Sequence, residues 1–172
     1  EEVAAVLGLP ENEIIVNVQG DEPLIPPVAI DQVARCLADN ECFMSTLYER
    51  ISSIDELFDP NLVKLVTDDQ GRALYFSRAP IPWHRDGFSS SEKTLSTSIV
   101  YKRHIGIYAY RVSALQQFVN LPVASLEETE KLEQLRALAS GKIIVADEAK
   151  ESFPAGIDTQ DDLLRTIEYL EK

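Results

Sequence analysis

Hydrophobic positions along the chain fall into short blocks separated by polar punctuation. Residues 2–7 read as a helix end closed by Gly8 and followed by Pro10, the usual order of a helix stop. Residues 13–18 (Glu, Ile, Ile, Val, Asn, Val) form an apolar run that halts at Gln19-Gly20-Asp21-Glu22-Pro23, which predicts a strand buried on both faces and then a polar loop. Pro26 and Pro27 open a helix carrying Val28, Ile30, Val33, Ala34 and Leu37 and ending at Asp39-Asn40. A strand over 43–47 follows. Residues 62–67 and 72–77 flank Asp68-Asp69-Gln70-Gly71, turn chemistry for a hairpin. Residues 88–95, with three serines and Gly87 just before them, predict a loop or mobile segment. Residues 104–111 carry Ile105, Ile107, Tyr108 and Tyr110 and read as a strand, with Gly106 marking a close approach of backbone or ligand. Ser125-Leu126-Glu127-Glu128 has the form of a capping box, and Leu132, Leu135 and Leu138 give one helix ending near Gly141. A last strand spans 143–146. A terminal helix capped by Thr159 turns Leu163, Leu164, Ile167 and Leu170 inward. The sum is an α/β core with an antiparallel hairpin, in one domain over residues 1–172.

Composition narrows this little but usefully. With 172 residues, 45% hydrophobic and 26% charged, the chain can bury a core and is neither disordered nor fibrous. A formal net charge of -13 argues against nucleic acid or an anionic membrane as a partner. Any anionic ligand would need local arginines and a bound cation to overcome that field. No apolar run approaches the roughly 20 residues of a membrane span. Cys36 and Cys42 lack the spacing of a zinc site and read as reduced, packed thiols of a cytoplasmic protein. Glu1 lies inside a helix end, so the native N-terminus is expected upstream.

Glycine-rich nucleotide loops, the nucleophile elbow and the HExxH zinc motif are absent. The candidate chemistry is carboxylate chemistry. Asp21 follows a buried strand, where ligands of open α/β sheets bind, although an Asp there more often serves a turn. Asp158 also precedes a helix, and capping is an equal reading for it. Together the two carboxylates could hold Mg²⁺, a hard cation that takes one or two carboxylates plus substrate phosphates. Arg78 ends a strand, where its guanidinium could clamp a carboxylate or form a surface ion pair. His104 could hydrogen-bond a substrate group, although a lone histidine is more often structural. Glu133 and Gln134, between two core leucines, could point into a cleft; a solvated face is the default.

In order and spacing, five segments resemble successive blocks of the 3-deoxy-manno-octulosonate (Kdo) cytidylyltransferases. They are Asn17-Val18-Gln19-Gly20-Asp21-Glu22-Pro23, Ala73 to Arg78 with Ile81-Pro82-Trp83, His104-Ile105-Gly106-Ile107-Tyr108, Leu132-Glu133-Gln134-Leu135-Arg136 and Gly156-Ile157-Asp158-Thr159. The resemblance covers nearly the whole chain. It implies a mixed, mostly parallel sheet flanked by helices, like nucleotide-diphospho-sugar transferases, and an enzyme that joins CTP and Kdo into CMP-Kdo and pyrophosphate for lipopolysaccharide synthesis. It further implies Asp21 and Asp158 as Mg²⁺ ligands, a sugar pocket lined by Gln19, Arg78, His104, Tyr108, Glu133 and Gln134, and a homodimer. The family's N-terminal triphosphate-gripping block has no counterpart in this sequence, so the domain is expected to be N-terminally incomplete. Gln160 and Ala109 replace a usual proline and a frequent glycine without removing any implied ligand. An enzyme for 8-amino-Kdo or another sugar acid, or a non-catalytic sugar-acid-binding fragment, are the alternatives.

Overall fold

The computed structural model describes residues 1–20, 22–89, 92–153 and 160–170. Its spine is the ten-residue strand β5 (Lys102–Arg111), and how its two edges are used positions everything else. One edge pairs antiparallel along its length with β2 (Met44–Arg50). The other edge is divided. β1 (Ile14–Asn17) takes residues 108–111, and β3 (Lys64–Thr67) takes 102–103. Beyond β2 lies β6 (Ile144–Glu148), parallel to it, and beyond β3 lies β4 (Ala73–Ser77), antiparallel. The order is β4-β3-β5-β2-β6, with β1 on β5. A mixed sheet flanked by helices is therefore what the chain forms. The expectation of mostly parallel pairing is corrected: among the described residues only β2 with β6 runs parallel, because the strand shared by β1, β2 and β3 runs against all three.

Alternation along the strands fills two cores. On one face, α2 (Pro27–Asp39) lays Ala29, Val33 and Leu37 over Leu47, Ile105, Ile107 and Ala109. Buried Gln32 fastens this helix to the end of β6, its Nε2 donating to Asp147 Oδ2 at 2.9 Å and the Glu148 carbonyl at 2.7 Å. On the other face, Met44, Phe76, Tyr108 and Tyr110 meet Phe118 of α4 (Val112–Val119) and Leu135 of α6 (Gln134–Ala139). A third cluster, with Ile51, Phe88 and Tyr101, gathers around Leu57 of α3 (Ile54–Phe58). Phe88 and Leu95 thus anchor both ends of the expected loop.

The predicted hairpin forms, and Gly71 at its tip has φ +76°, a left-handed conformation that glycine adopts without strain. There the Gly71 carbonyl accepts the Ala146 N–H at 2.9 Å, so the hairpin tip reaches across to β6. Both cysteines are free thiols, and burial pushes Cys36 up to about 12. Two helical expectations change. The single helix after Ser125 is two, α5 (Ser125–Glu130) and α6, divided at Lys131 with φ 56°. Ala124 rather than Ser125 is the N-cap; alanine offers no acceptor, and in place of the box expected from Ser125 and Glu128 a single bond forms, in which Glu127 accepts the Ala124 N–H at 3.4 Å. In α7 (Gln160–Leu170), Leu163, Leu164, Ile167 and Leu170 are 37 to 66% exposed rather than inward, and Thr166 is the buried side chain among those described. Among the described residues no helix is long and apolar enough to cross a membrane.

Candidate active site

Between β1 and β3, residues 104–107 of β5 pair with no strand on that edge among the described residues, although the His104 N–H donates to the Val63 carbonyl at 2.8 Å, and the chain leaving β1 passes this gap. The Gln19 side chain lies 3.7 Å from where a Cβ on Gly106 would sit, an ordinary van der Waals separation; among the described residues no backbone makes the close approach expected at that glycine. Beside it a cavity of about 250 Å³ opens on the α4–α6 face. Gln19 and Asn17 supply one wall, Tyr108 the floor, and Lys131, Glu133 and Gln134 the opposite wall. The break at Lys131 is what makes this wall. It ends α5 with a bond from the Lys131 N–H to the Glu127 carbonyl at 2.8 Å, and the chain then turns back past the cavity. Arg136 locks the two helices, its Nε and Nη2 donating to the Glu127 carboxylate at 2.8 and 2.5 Å. This pairing holds Glu127 below the usual carboxylate range, chiefly through the hydrogen bond.

Gln19, Tyr108, Glu133 and Gln134 therefore converge on one cavity. His104 stands one ring away, 5.4 Å from Tyr108 between centroids and edge-on to Phe76 at 4.9 Å. Removal from water lowers its imidazole from 6.5 to about 3 and raises the Tyr108 phenol well above 10, with Tyr110 and Glu133 adding to the latter. Both are neutral at working pH. Arg78 does not line the cavity. It sits behind the α5–α6 turn, where Glu130 fixes it: the carboxylate accepts Ser77 Oγ at 2.6 Å and the Arg78 N–H at 3.0 Å, and the Glu130 carbonyl accepts Arg78 Nε at 2.9 Å. Arg78 Nη1 also donates to the Pro60 carbonyl at 3.1 Å, leaving the Nη1–Nη2 edge as the fork for a carboxylate. Buried Lys64 is held by the same loop through the Asp59 and Leu62 carbonyls at 2.7 and 2.6 Å.

Asp21 and Asp158 lie outside the described residues. The packed residues nearest to them are informative. Val16 and Ile25, on either side of Asp21, and Phe153, before Asp158, belong to one cluster. Lys131, Asn17, Glu130 and Thr46 were not singled out from the sequence. A lysine carries no signal for a left-handed turn, and a threonine in a strand reads only as a good strand former.

The depressed His104 has a pH consequence. Between about 3 and 6.5 the unfolded chain binds a proton here that the folded chain does not, so stability contributed by neutral His104 is lost as pH falls through that window. Denaturation of the protein and of His104→Gln from pH 7 to pH 4 is expected to give a steeper loss in the former. Parallel curves would contradict it.

A mixed sheet with a polar cavity where the chain leaves β1 is the arrangement of an α/β ligand-binding enzyme domain. A family model described as cytidylyltransferase matches residues 1–144, and the chain belongs to the cytidylyltransferase family. Curated 3-deoxy-manno-octulosonate cytidylyltransferases are similar to it throughout. That of Alcanivorax borkumensis is 57% identical over 96% of this chain and 66% of its own length, that of Pseudomonas syringae pv. tomato 54% over 99% and 67%, and that of Pasteurella multocida 50% over 99% and 69%. The chain thus spans about two thirds of the curated relatives it matches. A solved CMP:2-keto-3-deoxy-manno-octonic acid synthetase complexed with CTP aligns with a TM-score of 0.82 at 34% identity, covering 99% of this chain and 67% of that one. An inositol-1-phosphate CTP transferase from T. maritima, 17% identical with a TM-score of 0.56 over 98% of this chain and 58% of its own, shares the fold.

Proposed function

We propose that the protein containing this chain transfers the cytidylyl group of CTP to Kdo, giving CMP-Kdo and pyrophosphate for lipopolysaccharide synthesis. The observation that carries this reading is the cavity itself: Gln19, Tyr108, Glu133 and Gln134, from three distant stretches of a chain similar throughout to Kdo cytidylyltransferases, meet in one polar pocket. In the reaction the anomeric hydroxyl of Kdo forms a bond to the α-phosphorus while the bond from that phosphorus to the bridging oxygen of pyrophosphate breaks. Mg²⁺ held by Asp21 and Asp158 would offset phosphate charge and make the hydroxyl more acidic.

The remaining work is positioning. Gln19 and Gln134 can donate to and accept from sugar hydroxyls, Glu133 can accept from them, and the protonated Tyr108 phenol can donate. Arg78, already oriented by Glu130 and Pro60, offers its free edge to the sugar carboxylate. These local cations and the metal answer the net charge of -13, which otherwise repels both anionic substrates. The protein is taken to act in the cytoplasm, as a homodimer.

Pyrophosphate release by the whole protein tests the reading. Release is expected with CTP, Mg²⁺ and Kdo together and not when any one is withheld. Release with 8-amino-Kdo but not Kdo would reassign the sugar, and none with either would overturn the proposal.

A further inference from the structure

Opposite the gap on β5, its paired edge is also irregular. Thr46 faces Tyr108 while Leu47 faces Ile105, so Gly106 and Ile107 bulge out of the ladder. Into this bulge points the hydroxyl of Thr46, which is fully buried. Its Oγ1 lies 2.8 Å from the Ile107 carbonyl, 3.1 Å from the Ile105 carbonyl and 2.9 Å from His104 Nε2. A hydroxyl has one proton and accepts with its lone pairs. Two carbonyl oxygens at these distances repel the hydroxyl oxygen unless that proton lies between them. The proton is therefore committed to the carbonyls, and Thr46 faces His104 as an acceptor. Nε2 must then carry the ring hydrogen, and Nδ1 must be the bare, accepting nitrogen.

We infer that Thr46 is a positioning residue for the sugar site: by spanning the β5 bulge it holds His104 in the Nε2–H tautomer, so that Nδ1 is an obligatory hydrogen-bond acceptor for a hydroxyl of the sugar acid. The sugar part of this statement rests on the function proposed above, whereas the tautomer does not. Because the imidazole stays uncharged at working pH, the tautomer alone decides what the ring can recognise. An Nδ1–H ring would present a donor in the same place, and the hydroxyl would have to accept there and direct its own proton elsewhere. Phe76 and Tyr108 fix the ring plane, and Thr46 fixes which nitrogen is bare.

The test is nitrogen NMR of the whole protein with labelled histidine, the His104 signals being assigned by their loss in His104→Gln. The expected spectrum is one tautomer, with a pyrrole-type Nε2 and a pyridine-type Nδ1, unchanged between neutral and mildly acidic pH. An Nδ1–H ring or averaged tautomers in the unaltered protein would overturn the inference outright. Thr46→Val removes the acceptor at constant shape and is expected to mix the tautomers. It should also raise KM for the sugar acid about tenfold, the loss of one well-formed hydrogen bond, with KM for CTP unchanged; Thr46→Ser should restore both. An unaltered ring spectrum with unchanged KM in Thr46→Val would equally sink it. If Thr46→Val does not fold, the unaltered protein and Thr46→Ser still decide the matter. The expected ring spectrum in a protein inactive towards Kdo would overturn the functional proposal and leave the tautomer standing.

Discussion

Asp21→Asn in the whole protein is expected to lower kcat for CMP-Kdo formation by about a thousandfold while leaving the fold intact. Asparagine keeps the shape of the side chain and one carbonyl-type ligand but removes the charge that makes a carboxylate a strong Mg²⁺ ligand. In nucleotidyl transfer there is little covalent work for the protein to do, so charge neutralisation at the phosphates carries much of the barrier reduction, and losing about 4 kcal/mol of it gives this factor. The measurement is kcat at saturating CTP and Kdo over a Mg²⁺ titration, with the thermal transition recorded alongside. A turnover close to that of the unaltered protein would remove Asp21 from the proposed metal site. A collapsed thermal transition would instead assign it the turn role that its position also permits.

The second large effect concerns stability. Phe76→Ala should cost about 3–5 kcal/mol, the range for truncating a buried phenylalanine. Phe76 is fully buried on β4, in the same core as Met44, Tyr108 and Leu135, and its ring meets the His104 imidazole edge-on at 4.9 Å. Such a cavity removes lateral support from the ring that Thr46 orients, so KM for the sugar acid should rise more than KM for CTP. Chemical denaturation reads the first effect, and an unchanged midpoint would mean that the pocket collapses around the smaller side chain.

What the sequence made legible was local. The run over 13–18, the Pro26-Pro27 helix start and the Asp68 to Gly71 turn each carry their own chemistry, and β1, α2 and the β3–β4 hairpin stand where those signals put them. The leucines around Glu133 and Gln134 hinted at a cleft. The failures were of longer range. Nothing near β5 says that three earlier strands will run against it, since strand direction is settled by pairing partners. The break at Lys131 escaped notice because Leu132, Leu135 and Leu138 keep helical spacing across it. The stripe of α7 reads identically whether it is covered or exposed. Thr46 gains its role only from the bulge opposite, which belongs to another segment of the chain.

The central place of β2 has a consequence for synthesis. Residues 44–50 leave the ribosome well before either of their neighbours, residues 102–111 and 144–148, exists. At about 5–20 residues per second, the strand waits some seconds with both edges open, whereas β3 and β4, joined by the short turn over residues 68–72, can pair at once. The hairpin becomes fixed to the sheet's far edge only when Ala146 arrives to meet Gly71. Slow or interrupted translation between β5 and β6 therefore prolongs a state with an unpaired, apolar strand edge, the form of nascent chain most prone to join another copy of itself. The yield of soluble protein should consequently depend on codon choice and chaperone supply over this last third of the chain more than over the first.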